Sequence, residues 1–128
     1  MFLIIDTSRP LAVYAQIMEG VRLAIATGRL KSGDKIPSVT GMAVDIRINQ
    51  NTVAKAYMEL ERAGVLENRR GLGYFVTSTL NGELAGKERN VLLDTRVEEL
   101  LTTAHELRFT PKEVKAAIDR RVERMNPV

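Results

Sequence analysis

The sequence contains no cysteine and no tryptophan, and it has a single histidine. Without cysteine the chain can form neither disulfides nor thiolate metal sites, which fits a reducing compartment. The lone His105 has no cluster of other metal ligands around it in the sequence, so a zinc site is not expected. We therefore predict no metal and no other cofactor.

Long hydrophobic runs are absent as well. The longest apolar stretches, such as residues 2–5, are far shorter than the ~20 residues that a membrane-spanning helix needs. The N-terminus also lacks the basic region and the cleavage pattern of a signal peptide. We expect a cytoplasmic protein that makes no contact with a membrane.

Catalytic patterns are missing too. No nucleophile, base and orienting group stand at a recognisable spacing, and the carboxylates are scattered. Gly71-Leu72-Gly73 is superficially like a phosphate-binding loop, but no helix with a third glycine or a lysine follows it. We predict that the protein is not an enzyme.

Positive charge is concentrated in one part of the chain. The 128 residues suffice for one compact domain and a small appendage. Residues 10–78 hold nine Lys/Arg against six Asp/Glu, a net charge of +3, whereas residues 79–128 hold nine of each. This distribution favours a nucleic-acid partner for the first part of the chain.

The chain does contain a helix-turn-helix pattern. Two groups of apolar residues each follow the i, i+3, i+4, i+7 spacing of one buried helical face. Ser38 and Asn49 precede them as helix caps, and Gly64 ends the second helix. Only Arg47 and Ile48 connect the two helices, which must therefore cross steeply. The two groups are Val39, Met42, Ala43 and Ile46, and Val53, Ala56, Tyr57 and Leu60.

The second helix turns other residues away from its apolar face. The amides of Gln50 and Asn51 match the edge of an adenine, and Lys55 can reach a guanine or a phosphate, so this face suits a major groove. An ordinary solvated helix surface stays open as the alternative at this point. The outward residues are Gln50, Asn51, Ala54, Lys55 and Met58.

A hairpin follows this helix. Residues 65–68 and 73–77 are predicted to form two short strands around a glycine-containing tip at residues 69–72. Arg69 and Arg70 would repel each other on an exposed tip without an anionic partner, and a phosphate backbone is such a partner. A solvated turn with two cations is the alternative. A tip placed directly after a candidate recognition helix is typical of the wing of a winged helix-turn-helix.

Several short motifs of this sequence stand in the same order in a known protein family. They are Ile36-Pro37-Ser38-Val39, Asn51-Thr52-Val53, Ala56-Tyr57, Leu60-Glu61-Arg62-Ala63-Gly64 and Arg70-Gly71-Leu72-Gly73-Tyr74-Phe75-Val76. From Pro10 to Val76 the chain thus resembles the N-terminal domain of the GntR family of bacterial transcriptional regulators. The short remainder resembles the YtrA-type subfamily, whose members carry only a small helical tail.

The chain departs from the family pattern at four positions. Family members usually carry arginine at the position of Thr40, often at that of Gln50, and arginine or another long polar residue at that of Ala54. Arg47 stands where the family usually places glycine. Since Gln50 and Asn51 can still bind base edges, we expect an altered operator sequence and not a lost activity.

Two functional hypotheses remain. The resemblance implies a sequence-specific DNA-binding transcriptional regulator, most simply a repressor that occludes a promoter. The missing arginines motivate the alternative, a winged-helix module for protein–protein interaction without DNA binding. For the first hypothesis, the candidate DNA-binding residues are Ser38, Thr40, Arg47, Asn49, Gln50, Asn51, Thr52, Lys55, Arg69, Arg70 and Gly71.

The rest of the chain is predicted to form a helical dimerisation tail. The small and polar residues from Thr77 to Lys87 indicate a linker or a frayed helix start. A first helix then carries apolar residues at alternating spacings of 4 and 3, and Thr110-Pro111-Lys112-Glu113 is a capping box that opens a second helix. The first apolar set is Leu93, Val97, Leu100, Ala104 and Leu107, and the second is Val114, Ala117, Ile118, Val122 and Met125.

Two short amphipathic helices cannot cover their apolar stripes alone, so we expect a second copy of the chain to do so. The residues predicted at this dimer contact are the first set together with Val114, Ile118 and Val122. A symmetric dimer implies a palindromic operator with half-sites about 34 Å apart. The alternative is a monomer in which the hairpin folds back on its own winged domain. No small-molecule effector can be assigned from the residues.

The predicted fold is mainly α with a small β-wing. A winged helix-turn-helix DNA-binding domain over residues 1–78 is followed by a C-terminal two-helix dimerisation hairpin over residues 79–128. Within the first part, residues 1–9 are expected to form an extended arm or a short strand, and a helix is expected from Pro10 to about Thr27. Lys35-Ile36 is predicted as a short strand that pairs with the wing.

Overall fold

The computed structural model of the chain describes residues 3–77 and 81–125, with the side chains of these ranges except those of residues 81–85. The described residues form five helices and one two-stranded sheet, so the prediction of a mainly α fold with a β-wing is confirmed. The elements are α1 (Val13–Ala26), α2 (Val39–Ile46), α3 (Gln50–Arg62), β1 (Leu66–Arg69), β2 (Gly73–Val76), α4 (Asn81–Glu106) and α5 (Pro111–Met125).

The chain divides into two compact units, and the division falls inside α4. The first unit extends to Leu93 and the second begins at Asp94. The first unit contains the winged helix-turn-helix, and the second contains the end of α4 together with α5.

Helix α1 begins later than its apolar pattern predicts. The sequence indicates a start at Pro10, but the first helical residue is Val13. The buried amide of Gln16 accepts a hydrogen bond from the Asp6 N–H at 2.8 Å and donates to the carbonyls of Asp6 and Leu11 at 2.7 and 2.9 Å. These hydrogen bonds hold the residues before α1 in a loop. The loop is favoured because without it the buried Gln16 amide would have no hydrogen-bond partners.

The N-terminal segment lies along α1. Leu3 is buried against Gly20, and any larger side chain at position 20 would collide with it. Arg9 forms a 2.9 Å ion pair with Glu19. From the sequence, an extended arm or a short strand is expected for this segment. Its described residues form an arm that packs on the chain's own domain, and they contain no strand.

The helix-turn-helix prediction is confirmed in detail. The Ser38 hydroxyl accepts a 3.0 Å hydrogen bond from the backbone N–H of Gly41 in the first turn of α2. The side-chain Oδ1 of Asn49 accepts a 2.7 Å hydrogen bond from the backbone N–H of Asn51 in α3. Arg47 closes the turn with a positive φ of 56°, and Gly64 follows α3 with a φ of 77°. Met42 and all four predicted residues of α3 are fully buried.

The wing is an antiparallel pair shifted slightly from its predicted place. Leu66 pairs with Val76 and Arg69 pairs with Gly73, so Arg69 belongs to strand β1 and not to the tip. The predicted short strand at Lys35 is present as a single bridge to the middle of β2. This bridge fixes the wing to the segment that leads into α2.

One core unites these elements. Ile17 and Val21 of α1, Met42 of α2, and Tyr57 and Leu60 of α3 are all inaccessible to solvent. Burying an aliphatic side chain of this size stabilises the fold by about 1.5–3 kcal/mol, so this core anchors α3 to α1 and α2. Partly buried residues that pack around it include Val13, Tyr14, Met18, Leu30, Val39, Ala43, Ile46 and Ile48.

The predicted linker is helical from Asn81 onward, whereas Thr77 at its start lies outside any helix. Residues 78–80 lie outside the described residues, and α4 begins at Asn81. Glu88 is buried and forms a 2.7 Å ion pair with Arg22 of α1. This pair ties the beginning of α4 to α1. The two compact units divide after Leu93, and the domain boundary after residue 78 stays a prediction.

In the second unit, a capping box stabilises the start of α5. The Thr110 N–H and hydroxyl donate to the Glu113 carboxylate at 3.0 and 3.1 Å, and the Glu113 N–H donates back to the Thr110 hydroxyl at 3.2 Å. These hydrogen bonds lower the pKa of Glu113, and the bond from the Thr110 backbone N–H has the largest effect. The predicted start of α5 at Pro111 is confirmed.

Candidate nucleic-acid interface

The N-terminal half of α3 presents polar side chains on the face opposite to the core. Because Val53 and Tyr57 are buried, the helix must turn Gln50, Asn51 and Lys55 outward, and all three are exposed. Thr52 is partly exposed between them. The face thus offers two amides and one ammonium group, which are suitable partners for base edges and phosphates.

A tyrosine fixes the position of α3 against the start of α2. The Tyr57 hydroxyl donates a 2.8 Å hydrogen bond to the carbonyl oxygen of Pro37, and its ring meets that of Tyr74 edge to face at 5.0 Å. Burial raises the pKa of Tyr57 well above its ordinary value, so the hydroxyl stays protonated. One side chain therefore holds together the recognition helix, the segment that leads into α2 and the wing.

The two cap residues keep only part of their hydrogen-bonding capacity. The oxygen atoms of Ser38 and Asn49 already accept bonds from backbone N–H groups. The hydroxyl hydrogen of Ser38 and the amide hydrogens of Asn49 remain as donors. Both side chains are exposed, so each can donate to a phosphate while it caps its helix.

Gln50 and Thr40 contact each other. The Gln50 Nε2 donates a 3.2 Å hydrogen bond to the Thr40 hydroxyl, and both side chains are exposed. These are two of the positions where the family resemblance implies arginine. Two arginines at these positions would repel each other. In this chain the neutral side chains of Thr40 and Gln50 form a hydrogen bond with each other instead.

Lys55 lies over an aromatic ring of α1. Its ammonium nitrogen is 4.0 Å from the centroid of the Tyr14 ring. This cation–π contact is worth about 0.5–1 kcal/mol at an exposed site. It orients the lysine, and the ammonium group keeps its charge for an anionic partner. This role of Tyr14 is not visible in the sequence, because the spacing along α1 shows only that the side chain lies on the apolar face.

Arg47 occupies the turn between the helices in a left-handed conformation. A residue with a Cβ pays about 1–2 kcal/mol for this backbone geometry, which glycine adopts freely. Its side chain is exposed and makes no ion pair with any described residue. The cation is available to an anionic partner beside α3.

The wing tip carries one free arginine and not two. Arg69 ends β1 with its guanidinium 4.1 Å from the centroid of the Phe75 ring and its Nε 3.4 Å from the Glu67 carboxylate. The prediction that both Arg69 and Arg70 lie on the tip is wrong, because the strand register places Arg69 in β1. Arg70 is exposed and makes no ion pair with the described residues, and Gly71 beside it has a φ of 78°.

Within the described ranges, 3–77 and 81–125, no three or more His, Cys, Asp or Glu residues are grouped in a way that could hold a metal ion. None of the helices in these ranges is both long and apolar enough to span a bilayer.

The second unit has an apolar groove of about 550 Å³ between α4 and α5. Ala104 and Val114 are buried at its base, whereas Leu107 is 64% and Leu100 is 42% exposed. Phe109 lines the groove and was not among the predicted contact residues, because it lies between the two helical repeats. The other predicted residues with exposed side chains are Leu93, Val97, Ile118 and Val122.

Comparison with known proteins agrees with this geometry. Residues 13–76 match the family model described as "Bacterial regulatory proteins, gntR family". The HTH-type transcriptional repressor YtrA of Bacillus subtilis is 35% identical over 101 residues, which is 79% of this chain and 77% of that protein.

Solved structures are similar as well. YtrA from Sulfolobus acidocaldarius, a GntR-family transcription factor, superposes with a TM-score of 0.57 at 28% identity over 94% of this chain and 96% of that one. The DNA-binding domain of AraR in complex with operator ORE1 superposes with a TM-score of 0.51 at 27% identity, over 57% of this chain and 89% of that one.

Proposed function

Because this chain belongs to the GntR family of bacterial regulatory proteins, we propose that it acts as a homodimeric repressor that occludes a promoter by binding a palindromic operator. Sequence-specific DNA binding is the activity of the family, and the proposal concerns the assembly, the operator symmetry and the residues that make the contacts. The name of the Bacillus relative, a transcriptional repressor, supports repression. The proposal includes no catalytic step and places the protein in the cytoplasm, where the chromosome lies.

One observation carries the assignment of contacts. The exposed amides of Gln50 and Asn51 stand at the start of α3, in the same compact unit as the exposed wing tip with Arg70. We assign α3 to the major groove, where these amides bind base edges. Arg70 and Gly71 then contact the backbone of the neighbouring strand, while Ser38, Arg47 and Lys55 bind phosphates on either side of the helix.

The tail supports the proposed dimer. Several large apolar side chains on α4 and α5 are exposed, so each forgoes part of the about 1.5–3 kcal/mol that full burial of such a side chain provides. A second copy of the same groove can cover them symmetrically, since an isologous contact pairs each patch with itself. Two recognition helices related by a twofold axis would meet half-sites about 34 Å apart.

The proposal is tested by fluorescence anisotropy with the purified full chain and a duplex from its own promoter, titrated at several salt concentrations. We expect the logarithm of the binding constant to fall linearly with the logarithm of salt, because cations on the protein displace counterions from phosphates. A scrambled duplex should bind more weakly at every salt concentration.

A failure to bind either duplex at low salt would overturn the proposed function. If such a protein also co-purified with a stable protein partner, the alternative of a winged-helix module for protein–protein interaction would replace it. Equal affinity for the promoter duplex and the scrambled duplex would contradict sequence-specific repression, because only contacts to phosphates would then be made.

A further inference from the structure

The side chains of Thr40 and Gln50 meet between the starts of two helices. Thr40 is the second residue of α2 and Gln50 is the first residue of α3, and a 3.2 Å hydrogen bond joins the Gln50 Nε2 to the Thr40 Oγ1. Since both side chains are exposed, water could replace either partner, so the bond adds little to stability. Its main consequence is to fix the orientation of the glutamine amide.

The bond leaves a defined set of polar groups on Gln50. A glutamine amide has two N–H donors and one carbonyl acceptor. After one N–H is donated to Thr40, one N–H and the Oε1 remain for a ligand. An adenine in the major groove presents an acceptor at N7 and a donor at N6, whereas a guanine presents acceptors at both N7 and O6. The remaining pair of Gln50 therefore matches adenine, and its Oε1 would oppose the O6 of guanine.

We propose that Thr40 is a positioning residue that holds the Gln50 amide in the orientation that binds adenine in the operator. This inference rests on the proposed function and deepens it. Thr40 acts through Gln50, whereas the prediction from the sequence is that it touches DNA directly. A side chain that is oriented before binding loses less conformational freedom on binding, which favours the matching base.

The pair of variants Thr40→Val and Thr40→Ser separates this role from a general effect on folding. Valine keeps the branched shape but lacks the hydroxyl, and serine keeps the hydroxyl. The full-length variants should share the wild-type thermal midpoint, because the bond is exposed. We expect Thr40→Val to lower operator affinity about three- to tenfold, the range of one hydrogen bond, and Thr40→Ser to stay close to wild type.

Modified operators identify the base. Each adenine of the operator is replaced in turn by 7-deazaadenine, which lacks the N7 acceptor. In the wild-type protein, replacement of the adenine bound by Gln50 should weaken binding about tenfold. Gln50→Ala should remove the sensitivity at that position, and Thr40→Val should reduce it.

A double variant distinguishes positioning from direct contact. If Thr40 acts only through Gln50, Thr40→Val should have no further effect on affinity in a Gln50→Ala background. A hydroxyl that bound a phosphate itself would give the same loss in both backgrounds.

Three outcomes overturn the inference. Additive losses in the double variant would do so, and so would a Thr40→Val protein that keeps wild-type affinity and full sensitivity to 7-deazaadenine. Both results would leave operator binding by the wild-type protein intact, so the proposed function would stand. A wild-type protein without sequence-selective binding would overturn the proposed function and this inference together.

Discussion

The Tyr57 hydroxyl donates a 2.8 Å hydrogen bond to the Pro37 carbonyl oxygen, across the junction between the recognition helix and the segment that leads into α2. Tyr57→Phe should lower the free energy of unfolding by about 1 kcal/mol, because the carbonyl loses its partner. Thermal or urea denaturation measures the change. Tyr74→Phe is the matched control, since the Tyr74 hydroxyl makes no such bond to the described residues, and equal losses in both variants would contradict the assignment.

The same tyrosine predicts a dependence of stability on pH. Burial raises the pKa of Tyr57, so its neutral form contributes stability that is fully present below the ordinary tyrosine pKa of about 10. This contribution should be lost as pH rises through the raised pKa. Urea denaturation between pH 9 and pH 11, ~1 unit on either side of the ordinary value, should show a steeper decline for the wild type than for Tyr57→Phe. Parallel curves would refute the linkage.

Arg69 and Arg70 should differ when each is replaced by alanine. Arg70→Ala should weaken binding to all duplexes alike and reduce the salt slope by about 1, as the loss of one phosphate contact does. Arg69→Ala should instead lower the stability of the wing, because Arg69 packs on Phe75. Anisotropy over a salt series and thermal denaturation separate the two effects.

Arg62→Ala provides the control for Arg70→Ala. Arg62 is 71% exposed in the last turn of α3, where it pairs with Glu59, and its removal changes the net charge by the same amount. It should leave the salt slope unchanged. An equal reduction by both variants would mean that overall charge, and not the wing, determines the slope.

Most of the fold could be predicted from local patterns. The Ser38 and Asn49 caps, the apolar stripes of α2 and α3 and the capping box of the tail depend on residues within one or two helical turns of each other. Such signals are present in the sequence whatever the rest of the chain does.

The features that the sequence did not reveal depend on contacts between distant residues. The late start of α1 follows from bonds of Gln16 to Asp6 and Leu11, and the early start of α4 accompanies the pair of Arg22 with Glu88. At the candidate site, the stacking of Arg69 on Phe75 requires the strand register, which a one-residue shift would change. Side-chain type and spacing alone do not specify these contacts.

The apolar groove of the tail predicts the assembly state. Leu100→Glu should produce monomers in sedimentation velocity, since an uncompensated charge buried at the contact costs about 3 kcal/mol or more. Leu23→Glu, which charges an exposed leucine of α1, should leave the dimer intact. A wild-type protein that sediments as a monomer would contradict the proposed homodimer.

The capping box predicts a low pKa for Glu113. Hydrogen bonds from Thr110 favour the carboxylate, so their contribution to stability is present above the ordinary glutamate pKa and is lost as pH falls through the lowered one. Carboxyl chemical shifts measured by NMR during a pH titration should place the Glu113 pKa below the ordinary glutamate value of about 4.3. Thr110→Val should raise it, and an unchanged value would argue against the box.

Random-site selection with the purified protein, repeated with Asn51→Ala, tests most directly whether α3 recognises duplex DNA. We expect a twofold-symmetric sequence with half-site centres about ten base pairs apart. In the variant, about 1–3 kcal/mol of discrimination should be lost at one position per half-site. No enriched sequence, or the same sequence with undiminished discrimination for Asn51→Ala, would contradict it.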